Sequence, residues 1–185
     1  MRSARIITQV IDHLLHSDLC DFPAVLLAEL AEAIPVHFAG FHQIDTRFPE
    51  MSVVLHPEDF DYPAELRKRS AELQAEHPIS EHLRATGGRA VTRISDLLGH
   101  EEYHATRFYR EVYSHIGVEY QMAFLLPGPE PLRSVVTLAR SDRDFTDAER
   151  DLCELLRSPL AALHSSSTRE ALLHETVEHH VASDR

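Results

Sequence analysis

A chain of 185 residues is enough for one domain with a real core and tight for two. With 43% hydrophobic and 26% charged residues it has the balance of an ordinary globular protein. No apolar run reaches the ~18 to 20 residues of a membrane span, and the basic start leads into an amphipathic segment instead of a signal-peptide core, so a cytoplasmic protein is expected. The formal net charge of −12 repels a phosphate backbone and argues against nucleic-acid binding through this chain alone.

In chain order, Ile6, Ile7, Val10, Ile11, Leu14 and Leu15 recur at helical spacing, with Ser3 as the expected N-cap. A second helix is expected from near Asp21, with Pro23 in its first turn and Leu26, Leu27, Leu30, Ala31 and Ile34 as its apolar face; Pro35 stops it. Residues 36–45 and 51–56 read as strands joined by a hairpin connection, with Pro49 near its end. Residues 57–87 read as two helical pieces divided at His77-Pro78. Residues 89–94 form a short strand. The spacing of Ala105, Phe108, Tyr109, Val112, Tyr113 and Ile116 predicts one helix over roughly 100–115, ended by Gly117. Residues 118–126 and 132–140 are the clearest strands, with Pro127-Gly128-Pro129 as their turn. Thr146 and Glu149 fit a capping box, followed by a helix face of Leu152, Leu155, Leu156, Leu160 and Leu163 that Pro159 should kink. The expected organisation is one α+β domain over residues 1–164 and a charged helix or tail over 165–185.

Motifs with sharp chemistry are missing. The sequence has no phosphate-cradling glycine loop and no nucleophile elbow, and Cys20 and Cys153 make neither a disulfide framework nor a zinc set. The tail run from His174 to His180 puts Glu178 where a metalloprotease would need its second histidine. Fourteen histidines is a high count, and imidazole binds metals and haem iron. His42 or His56 with His104 or His115 is the combination expected to converge if a metal or haem site exists; the alternative is surface histidine.

Phe108, Tyr109, Tyr113 and Tyr120 offer rings to a flat ligand or belong to the core. Gln121 and Ala123 share one face of their strand, the side expected to meet a partly polar cavity, where the Gln121 amide can both donate and accept. Arg140 either clamps a ligand carboxylate or anchors the acidic loop beside it.

Several runs together resemble a known family. They are His77-Pro78-Ile79, Arg93-Ile94-Ser95-Asp96-Leu97-Leu98, Arg107-Phe108-Tyr109-Arg110-Glu111, Ile116-Gly117-Val118, Leu138-Ala139-Arg140, Arg143-Asp144-Phe145-Thr146 and Leu155-Leu156-Arg157-Ser158-Pro159-Leu160. In order and spacing they resemble the GAF-like sensory domain of actinobacterial LuxR-family transcription regulators, over about half the chain. The resemblance implies a GAF-like fold. A central antiparallel sheet of five or six strands carries the terminal helices on one face, and connecting helices cover a pocket on the other. It does not extend to a helix-turn-helix output domain, so DNA binding is not carried over.

Three functions follow as expectations. The first is a non-catalytic sensor of a small molecule, forming a homodimer through the terminal helices. The second is a stand-alone haem- or metal-dependent enzyme or haem protein using a histidine of the same pocket. The third is an interaction module that pairs with a longer regulator.

Overall fold

The computed structural model describes residues 2–18, 21–45, 47, 51–128, 130 and 132–183, with side chains over residues 3–166. Cys20, Pro49 and Pro129 lie outside the described residues, as do the side chains of the tail histidines.

The chain opens with α1 (Arg2–His16) and α2 (Phe22–Ala33). Helix α1 begins at Arg2, so Ser3 lies inside it and is not its cap. Helix α2 ends because Ile34 precedes a proline and is extended, with φ −128° and ψ 113°. Strands β1 (Phe38–Asp45) and β2 (Met51–His56) follow. A covering segment comes next: α3 (Ala64–Leu73), a 3-10 turn, and α4 (Pro78–Thr86). The division falls at His77-Pro78, as the sequence predicts. His77 also caps α4, because its Nδ1 accepts from the backbone N–H groups of Ile79 and Ser80. Gly87, with φ +74°, supplies the left-handed residue that ends α4.

Strand β3 is only Thr92–Arg93, shorter than the expected six residues. The single helix expected over 100–115 is instead α5 (His100–Ala105), α6 (Arg107–Glu111) and a 3-10 turn over Tyr113–His115. Thr106 causes the break. It is extended, and its hydroxyl accepts from the Tyr109 N–H to start α6 afresh. Strands β4 (Tyr120–Leu126) and β5 (Leu132–Arg140) lead to α7 (Asp147–Ser183). The capping box opens α7 as expected: Glu149 N–H donates to Thr146 Oγ1, and Thr146 N–H donates to the Glu149 carboxylate. The helix runs on past Pro159 to Ser183.

The five strands form one antiparallel sheet in the order β2-β1-β5-β4-β3. Alternation divides each strand between two cores. Phe41, Met122, Phe124, Val136 and Leu138 pack against α1, α2 and α7. Phe38, Ala123 and Ala139 face the covering segment with Leu73, Ile79, Tyr103, Phe108 and Tyr113. Two leucines depart from the expected helix faces: Leu15 is 61% exposed and Leu155 59%.

Candidate functional site

The covering segment does not close on the sheet. Between them lies a cavity of about 900 Å³. Its floor is one face of four strands, including Phe38 and His42 of β1, Leu55 of β2, Gln121 and Ala123 of β4, and Val135 and Thr137 of β5. Its cover includes Ile79, Leu83, Phe108 and Tyr113. The charged side chains that border it, Arg67, Glu72, Arg84, Glu130 and Arg133, are all exposed and stand at its mouth.

Besides Tyr62, Ser70, Gln74 and Ser80, two polar groups among the described residues interrupt the apolar lining. The first is His42, whose Nε2 is 3.1 Å from Thr137 Oγ1. Gly40 makes room for this pair. A Cβ there would come within 2.8 Å of both atoms. Burial pushes the His42 pKa down to about 4, so its ring is neutral at physiological pH.

The second is a relay formed by His77, Tyr113 and Gln121. Because His77 Nδ1 accepts two backbone N–H groups, its neutral ring carries the proton on Nε2. That N–H donates to the Tyr113 hydroxyl at 3.0 Å, and the Gln121 Nε2 group donates to the same oxygen at 2.7 Å. Burial, the largest influence, pushes the His77 pKa down to about 4. Gln121 Oε1 is buried and has no hydrogen-bond partner among the described residues. Turning the amide over would let Tyr113 donate to Oε1 but would leave the NH2 unpartnered instead. In either orientation one polar end of Gln121 is left unsatisfied in the cavity wall. An unsatisfied buried polar group costs ~1–3 kcal/mol, so it is not a neutral feature of a core.

Of the residues singled out from sequence, His42, Phe108, Tyr113, Gln121 and Ala123 line the cavity together. Tyr109 does not; its hydroxyl donates to Glu119 Oε1 at 2.7 Å. Arg140 is also placed elsewhere. It is 2% exposed on the opposite face, where its guanidinium donates to the Glu149 carboxylate and to the carbonyls of Pro35, Arg143 and Asp144. Every direction of its fork is taken, so it anchors the acidic loop and cannot clamp a cavity ligand. Burial alone would raise the Glu149 carboxyl, but hydrogen bonds from Arg140 and Arg143 prevail and hold it far below the usual carboxylate range.

The four histidines considered as metal ligands do not converge. Only His42 lines the cavity. His56 alternates away from Leu55 at the end of β2, His104 hydrogen-bonds to Glu119, and His115 is exposed. The sequence reading missed His77 and Thr137 as cavity residues. For His77 the signal was present: a side-chain acceptor directly before a helix-starting proline is a capping position. Cys153 is buried in the opposite core, where burial pushes its thiol pKa up and keeps it inert.

Neither a protein-family model nor a curated protein matches the sequence. Solved structures do match. The ligand-binding domain of VqsR from Pseudomonas aeruginosa superposes with a TM-score of 0.64 at 18% identity, covering 90% of this chain and 94% of that one. The GAF domain of a phosphoenolpyruvate-protein phosphotransferase from Coxiella burnetii gives 0.66 at 14% identity, covering 93% and 98%. The fold is GAF-like. CepR2 from Burkholderia cenocepacia, an N-acylhomoserine lactone dependent LuxR family transcription factor, gives 0.59 at 14% identity, covering 94% and 99%. At these identities the likeness extends to the architecture, and the chemistry of the cavity must be argued from its own residues.

Proposed function

We propose that this GAF-like domain is a sensor that binds an uncharged small molecule with an apolar body and a hydrogen-bonding head group. The observation that carries the reading is an apolar cavity of about 900 Å³ with the unsatisfied amide of Gln121 buried in its wall. Both interior histidines are neutral near pH 7, and the charged residues stand at the mouth, which favours an uncharged ligand. The two LuxR-type neighbours support a sensory role, in keeping with the resemblance to actinobacterial LuxR-family regulators. CepR2's dependence on N-acylhomoserine lactones makes amphiphiles of that form the first ligands to test.

The terminal helices are the proposed output and dimer surface. Exposed Leu15 on α1 and Leu155 on α7, two helices that pack on each other, support this as large apolar side chains left outside the core.

Native mass spectrometry of freshly purified protein, with an absorption spectrum of the same sample, tests the reading. A bound uncharged molecule is expected, and Gln121→Leu should weaken its binding about tenfold, the worth of one hydrogen bond. Full affinity in Gln121→Leu would overturn the role given to Gln121. A Soret band lost in His42→Ala would replace the sensor reading with that of a haem protein.

A further inference from the structure

We propose that His100, His104 and Glu119 form a binding site for a first-row divalent transition ion of the Zn2+ class, separate from the cavity. One ligand atom from each residue lies within 4.8 Å of the other two. His104 Nε2 is 2.8 Å from Glu119 Oε2, and His100 Nε2 is 3.9 Å from the same oxygen. These separations bracket the ~3.3 Å that metal bonds of ~2.0–2.1 Å impose between tetrahedral ligands. None of the three residues lines the cavity.

The local structure prepares the set. His100 and His104 stand four residues apart on α5, which brings both rings to one side, with centroids 4.0 Å apart. Glu119 is held by its backbone, whose N–H donates to the Arg140 carbonyl at 3.1 Å. Its second oxygen, Oε1, accepts the Tyr109 hydroxyl, which leaves Oε2 turned to the imidazoles. The Tyr109 ring also stacks on His104 at 4.0 Å, with planes 11° apart. Orientation of ligands by a surrounding shell of hydrogen bonds is characteristic of metal sites.

Charge balance points the same way. The carboxylates of Glu111, Asp96, Glu149 and Glu154 each pair with an arginine. Among the described residues Glu119 has no arginine or lysine partner, and the only basic groups it meets are the two imidazoles. Two imidazole nitrogens and one carboxylate oxygen suit zinc and its neighbours and leave a coordination position open to water or a further ligand. The side chains are 56%, 32% and 29% exposed, so an ion can enter from solvent. A bound ion would tie α5 to the start of β4, two residues before Gln121.

The test is Zn2+ titration of the full chain against a chromogenic chelator, with the position of the ion read by anomalous scattering from a zinc-soaked crystal. One ion is expected at these three side chains. His100→Ala and Glu119→Gln should each weaken binding at least about tenfold, and Tyr109→Phe, which removes only the orienting hydroxyl, about tenfold. The combined His174→Ala, His179→Ala and His180→Ala variant should bind as the parent does. Metal-free melting curves of the variants keep loss of fold distinct from loss of binding. Titration that leaves the chelator undisturbed would overturn the proposal. So would affinity that survives in Glu119→Gln and vanishes in the tail variant, or an anomalous peak elsewhere.

Discussion

The two faces of the sheet are built from the same strands and put to opposite uses. Against α1, α2 and α7, Leu26, Leu27, Leu30, Phe124, Leu138, Leu156 and Leu160 are fully buried. Against the covering segment, the longest helix has ten residues, and polar side chains share the wall with apolar ones. The contrast teaches where stability and recognition reside. A close-packed face fixes the strands, and that rigidity lets the other face keep a cavity and an unsatisfied amide without collapse.

The largest expected effect breaks the packed face. Phe124→Ala should cost about 3–5 kcal/mol of unfolding free energy in urea denaturation, because both the ring and its neighbours lose contact. A loss below about 1 kcal/mol would mean this face is not the stabilising one.

The second effect sharpens the contrast through pH. His42 and His77 titrate near 4 in the fold against 6.5 when exposed. Between those values the unfolded chain takes up protons that the fold refuses. Their stabilisation is therefore complete above pH 6.5 and is lost as pH falls towards 4, by on the order of a few kcal/mol. His164 on the packed face shifts in the same direction. Glu149, depressed in the fold, adds a further loss as pH falls below its ordinary 4.5. The decisive measurement is the difference: His77→Asn, which keeps a capping acceptor, should flatten the urea midpoint between pH 6.5 and 4. An unchanged slope would assign the effect to other groups.

A smaller cost, about 1 kcal/mol, is expected for Gly40→Ala, whose methyl must displace the His42 and Thr137 side chains. The cavity lets those side-chain ends give way, so a loss above about 3 kcal/mol would show a tighter wall than described. The smallest effect on stability, within about 0.5 kcal/mol, is expected for Leu15→Glu with Leu155→Glu, since both are exposed. Sedimentation should nevertheless show this double variant shifted to monomer. A parent that is monomeric at micromolar concentration would remove the proposed dimer.

Much of this architecture was legible because it is local. The period of β4 and β5, the proline after Ile34, the His77-Pro78 division and the box at Thr146 each act within a few residues. Gln121 and Ala123 were put on one side of β4 by alternation alone, and the fold sets that side to the cavity. What periodicity does not carry is the width of a buried stripe. Leu15 and Leu155 fit the helical spacing yet fall outside the contact zone. Nor does it carry pairing between distant segments. Arg140 meets Glu149 and Pro35, and His104 meets Glu119 instead of His42, because chain closure decides those neighbours. Thr106 was misread because a capping hydroxyl can restart a helix inside an apparently continuous apolar repeat.

The buried Arg140–Glu149 pair has a mechanical consequence. It clamps the first turn of α7 to the ends of β5 and α2. Helix α7 has 37 residues, which at 1.5 Å per residue makes it about 55 Å long. Leu152, Leu156 and Leu160 hold its first half in the core, so the clamp and this packing together set the direction in which the whole helix runs.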